Sequence, residues 1–128
     1  MAYTIDRLIP DSDFEAVDAR VRKALGDAGF GVLTEIDVAA TMKKKLDVDM
    51  APYRILGACN PKLAHGAIGL EPRIGAMLPC NVILRAVAGG IEVSAIDPVA
   101  SMAAIDNPEL IAVAGKVREL LTGAVAAV

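Results

Sequence analysis

A chain of 128 residues with 55% apolar residues, 3% aromatics and no Trp is long enough for one core, built from Ala, Val, Ile, Leu and Met. A domain of this size buries roughly two-thirds of its unfolded surface. Thirteen basic against sixteen acidic residues, with two Tyr and two Phe, offer neither a basic stripe nor a set of stacking aromatics, which excludes a nucleic-acid partner.

The N-terminal stretch MAYTIDRLIPDSDFE has no basic start followed by an apolar run. It reads as the first structural element of an intracellular, cytoplasmic protein with reduced cysteines rather than as a signal peptide. Tyr3 and Ile5 alternate with polar neighbours up to Leu8-Ile9, a first strand that Pro10 ends. Ser12 and Glu15 then stand in the S-x-x-E relation that opens a helix. Phe14, Val17, Val21 and Leu25 follow on one face, with Asp18 and Arg22 largely outside it, and Gly26 or Gly29 is suited to the end.

Phe30, Val32, Thr34 and Ile36 alternate against Gly31, Leu33, Glu35 and Asp37, the pattern of a half-buried strand. A short helix over Ala39–Leu46 includes the run Lys43-Lys44-Lys45, read as a solvated face. Tyr53–Cys59 is a third strand, with Tyr53, Ile55, Gly57 and Cys59 on one side and Arg54, Leu56 and Ala58 on the other. Asn60-Pro61 caps and starts a short helix to about residue 68. Residues 69–77 suggest a turn with one helical turn. Cys80–Val87 alternates as a strand, Gly89-Gly90 makes a hairpin, and Ile91–Ile96 returns antiparallel. A short helical stretch follows Asp97-Pro98. Asn107-Pro108 opens a last helix with the stripe Leu110, Val113, Val117, Leu120 and Leu121.

The order specifies a single α+β domain over residues 1–128, a two-layer fold. Its mainly antiparallel five-stranded sheet carries two long helices on one face. The longest stretch free of charged residues, Ile74–Leu84, has eleven residues, well short of the ~18–20 that cross a membrane. An apolar surplus without such a span predicts a homodimer.

The stretch ACNPKLAHGAIGLEPRIGAMLPC, residues 58–80, holds both cysteines and the one histidine of the chain. Cys59 ends a strand just before a helix start, where free N–H groups favour a thiolate, and Cys80 opens the next strand. Cys59, His65 and Cys80, with Glu71 or a water as fourth group, are the ligand types of a zinc-like soft metal centre, or of a site for a small ligand. A second reading makes Cys59 the attacking sulfur of a thiol-dependent redox or nucleophilic enzyme, activated by His65. A third takes both cysteines as small buried hydrophobes in a structural or interaction module. The spacing C-x5-H-x14-C matches no zinc pattern, and Met42, Met50, Met77 and Met102 read as core filling.

LGACNPKLAHGAIGLEPRIGAMLPCNVIL (56–84), with GFGVLTEIDVAATMKKKL (29–46) and Ile96-Asp97-Pro98, resembles the domain-of-unknown-function family numbered three hundred and two over almost the whole chain. The resemblance implies a fold similar to the TATA-binding-protein-like arrangement and supports dimers. It brings no activity, substrate or catalytic residue.

Overall fold

A computed structural model describes residues 2–128. The elements run β1 (Thr4–Pro10), α1 (Phe14–Asp27), β2 (Gly31–Asp37), α2 (Val38–Leu46), β3 (Tyr53–Cys59) and α3 (Pro61–Leu70). A 3-10 helix (Pro72–Met77), β4 (Cys80–Val87), β5 (Gly90–Ile96), α4 (Pro98–Ser101) and α5 (Pro108–Ala126) complete the chain.

Every α-helix opens on an Asp or Asn whose side chain accepts a free backbone N–H. Asp13 takes that of Ala16, Asp37 that of Ala40, Asn60 that of Leu63, Asp97 that of Val99, and Asn107 that of Leu110. Such caps contribute about 1 kcal/mol each. The expected Ser12/Glu15 capping pair is corrected here. Asp13 caps α1 instead, Ser12 Oγ donates to the Pro10 carbonyl at 2.9 Å, and Glu15 is drawn to Arg54. A carboxylate one residue nearer the helix outcompetes the hydroxyl because it also answers the positive end of the helix dipole.

All five strands are antiparallel, in the order β1-β5-β4-β3-β2. α1 and α5 pack on each other and on the sheet. Under them lie Leu56, Val82, Leu84, Val93 and Ala95, all essentially sealed from solvent, against Val17, Val21, Leu25 and Leu121 from the helices. The alternation expected along β2 breaks at a bulge. Val32 pairs with Ala58, but Thr34, not Leu33, pairs with Gly57. One residue is thus spliced in, and Thr34 and Ile36 turn to the face opposite Val32. The expectation of a half-buried β2 fails as well, since all its residues except Val32 are exposed.

The helix layer is fastened to the sheet by charge. Arg54 shares the inward parity of Leu56 and Ala58, and its guanidinium reaches Asp18 at 3.0 Å and Glu15 at 2.7 Å while lying 5.0 Å from the Phe14 ring centre. Asp18, on the core side of α1, also binds Arg22 Nε at 2.6 Å. Burial pushes the Asp18 carboxyl up, but the hydrogen bonds of Arg22 and Arg54 outweigh it and hold it below its ordinary value. Arg54 Nε has no hydrogen-bond partner; it lies 3.4 Å from Glu35, and that carboxylate offsets its charge. At the far end of the sheet Arg7 donates to the carbonyls of Val125, Ala126 and Val128. These carbonyls lie in and just beyond the last turn of α5, where few helical N–H groups remain to bind them. No helix among the described residues is long and apolar enough to cross a membrane.

Candidate functional site

The packed interior divides into two clusters. One joins the sheet to α1 and α5. The other gathers Ala67 of α3, Ile74 of the 3-10 helix, Met102, and Leu110 and Ala114 of α5. α3 is held over the seam between them by its contacts with α5 and by Asn107, whose amide donates to the Leu70 carbonyl at 3.1 Å. The inward side of α3 presents small residues, Ala64 and Ala67, because Gly66 and Gly69 occupy its solvent side. Small side chains on a lid over two cores leave space beneath it.

That space is a cavity of about 30 Å³, walled by Phe30, Ala58 and Cys80 from the first cluster and by Ala67, Met102, Leu110 and Ala114 from the second. Cys59, Asn60, Leu63, Ala64, Leu78 and Pro79, with Val113 and Val117 of α5, complete it and are half-buried. β3 and β4 are neighbours with Ala58 opposite Cys80, which carries the second cysteine next to the end of the strand that holds the first. Neither forms a disulfide. Burial, and behind it the neighbouring Cys59, pushes the Cys80 thiol up to about 11. Cys80 is therefore an uncharged thiol at neutral pH, in a wall that is almost wholly apolar.

The other members of the expected site lie elsewhere. His65 is on the exposed side of α3 and Glu71 follows its last turn, and neither lines the cavity. Among the described residues no three His, Cys, Asp or Glu side chains form a group that could hold a metal ion. Of the residues expected to share a metal, Cys59 and Cys80 line the cavity, whereas His65 and Glu71 do not. The physical reason is helical geometry. Leu63, Ala64 and Ala67 set the inward stripe of α3, and His65 falls outside it. The same placement keeps His65 out of the cavity that Cys59 lines.

Sequence reasoning missed the rest of the wall. Phe30, Leu63 and Met102 come from three distant segments, and no local pattern marks their meeting. A larger groove of about 940 Å³ runs between the N-terminal residues and α5. Its buried acid, Asp97, is engaged already, capping α4 and binding Arg118 Nε at 2.8 Å.

The sequence profile described as "Domain of unknown function DUF302" matches residues 7–128. No curated protein matches the chain. A crystal structure of an uncharacterized conserved DUF302 protein from Bacillus stearothermophilus is similar in fold, with a TM-score of 0.86 at 24% identity, over 97% of this chain and 94% of that one. With the profile spanning nearly its full length, the chain belongs to the DUF302 family.

Proposed function

We propose that this protein binds a small, uncharged, largely apolar molecule, or the apolar end of a larger one, in the cavity beneath α3. The single observation that carries this reading is the cavity itself, placed at the seam of two cores and lined by both cysteines. An apolar cavity of this kind stays dry and takes apolar guests. Charge is disfavoured there, because a buried ion without a partner costs several kcal/mol. A thiol pushed up to about 11 adds no charge of its own at neutral pH. This argues for a neutral guest, and against Cys80 as a thiolate nucleophile. The cysteines serve as compact, polarisable wall atoms. The half-buried residues Cys59, Asn60, Leu63 and Ala64 mark the side from which a guest would enter.

Xenon is a suitable probe, since it is apolar and needs no specific contact. Titration under pressure should give saturable methyl NMR shifts at Leu63, Val113 and Val117, which line the cavity, and leave Ile83 on the far side of the sheet unmoved. Ala64→Leu fills the space and should abolish those shifts while the amide spectrum stays folded, because overpacking of this size costs about 1–3 kcal/mol. Shifts that never saturate, or that persist in Ala64→Leu, reject the reading.

A further inference from the structure

β1 is an edge strand, paired on one side only, with β5. The Tyr3 carbonyl accepts the Asp97 N–H at 2.8 Å, and Asp11 donates to the Gly89 carbonyl at 3.2 Å, so the odd-numbered residues turn their backbone toward β5. In an antiparallel ladder the residues between them turn theirs the other way. Thr4, Asp6 and Leu8 therefore present N–H and C=O groups along the open edge, and among the described residues no strand pairs with them there. Beyond Leu8 the edge closes. Pro10 has no N–H, and Ser12 Oγ already donates to its carbonyl.

The opposite edge of the sheet is built differently. β2 is interrupted by the bulge between Val32 and Thr34 and carries Glu35 and Asp37, features that keep a sheet edge from accepting another strand. Beside β1, by contrast, runs the groove of about 940 Å³, with Thr4 and Ile5 on one wall and Ala112, Gly115, Lys116 and Glu119 of α5 on the other. These four positions are three and four residues apart, so they form one face of α5. Ala112 and Gly115 are small, which leaves width for a chain to lie between strand and helix. Lys116 is exposed and makes no ion pair among the described residues. The other cation of the groove, Arg118, is already held by Asp97 at 2.8 Å.

We propose that the β1 edge and this groove take up an extended peptide segment of another protein, with a carboxylate where it faces Lys116. The added strand hydrogen-bonds to the backbone of Thr4 and Asp6, and its residue opposite Ile5 turns its side chain toward α5. A chain in extended form is the occupant that supplies donors and acceptors at the spacing of the free edge. A second copy of this chain fits badly. Pairing two β1 edges about a two-fold axis over Thr4, Asp6 and Leu8 sets the two Asp6 carboxylates opposite each other, and like charges so placed are destabilising. The cavity beneath α3 takes no part, so this inference stands apart from the proposed function.

An NMR titration of the full chain with the acetylated and amidated pentapeptide TVDVT tests it. The amides of Thr4 and Asp6 and the side chain of Lys116 should shift saturably, and the two amides should exchange more slowly with solvent. N-methylation of both valines removes the donors that reach the edge and should abolish binding. Lys116→Glu, and separately the peptide TVKVT, should each weaken binding roughly fivefold, a repulsive pair replacing an attractive one. Thr4→Pro deletes an outward N–H without breaking the ladder to β5, so it should keep its circular-dichroism spectrum and lose affinity. Should Thr4→Pro fail to fold, Lys116→Glu decides, because its side chain is exposed. No saturable shift at millimolar peptide, binding that tolerates N-methylation, or an affinity indifferent to Lys116→Glu overturns the proposal. So do Thr4 and Asp6 amides that move with protein concentration alone, since a second copy would then hold the edge.

Discussion

Arg54→Ala is expected to lower the unfolding free energy by about 3 kcal/mol, the lower end of what removing one partner of a buried ion pair costs. Both Arg54 and Asp18 are largely withdrawn from water, with side chains 14% and 9% exposed. Without Arg54, the inward carboxylate of α1 keeps Arg22 but loses its link to β3, and the face of Phe14 loses its cation. Urea unfolding measures the change, and a loss under 1 kcal/mol would contradict the account. Glu15→Ala is the control: its carboxylate is exposed, and its removal should matter far less. The acid limb gives an independent reading. Asp18 sits below its ordinary 3.8, so its contribution is fully present above that pH and is lost as pH falls through the lowered value. In Arg54→Ala the folded-state titration of Asp18 should move up toward its ordinary value, so this acid-dependent loss shrinks, and NMR of the carboxyl reads the shift directly.

The second large effect belongs to alkaline solution. Cys80 titrates near 11 in the folded chain against an ordinary 9.0. The native state therefore holds this proton more tightly than the unfolded chain does. Its contribution to stability is complete below pH 9 and disappears between 9 and 11, at about 1.4 kcal/mol per pKa unit, which amounts to about 3 kcal/mol in all. Urea unfolding at pH 8 and pH 11 should show the wild type losing about that much more than Cys80→Ala, with lysine and tyrosine titrations cancelling in the comparison. Parallel losses in the two proteins would mean that the thiol is not buried as described.

Much of the architecture was legible from local chemistry. Each Asp or Asn before a helical stretch proved to be its cap, apart from the Ser12 reading, which chose the weaker of two adjacent acceptors. The parity of β3 grouped Leu56 and Ala58 on one face, which is the inward one. The same parity put Arg54 inward too, and an inward cation requires an inward acid. Asp18, next to Val17 and one turn before Val21 and Arg22, was the available partner, so that link could have been found. The bulge at Leu33 left no trace in the β2 alternation, because bulges answer to pairing across strands rather than to the sequence of one. The site was legible by half. Strand adjacency brings Cys59 and Cys80 to one cavity, whereas His65 was grouped with them by closeness in sequence and is separated by the turn of a helix. Phe30 and Met102 join that wall through contacts spanning tens of residues, which no short-range pattern encodes.

The strand order also bears on how the chain is made. β1 is made before the other four strands of the sheet, yet its partner is β5, so Thr4 waits for Ile96 and Pro10 for Gly90. The β4–β5 hairpin, closed by Gly89, can form as soon as it is synthesised, but the strand that borders it must return across more than eighty residues, a loop closure that slows folding more than it costs stability. During that wait β1 is an unpaired strand bearing Ile5, Leu8 and Ile9, and Asp6 with Arg7 at its centre keeps it from pairing with a neighbouring nascent chain.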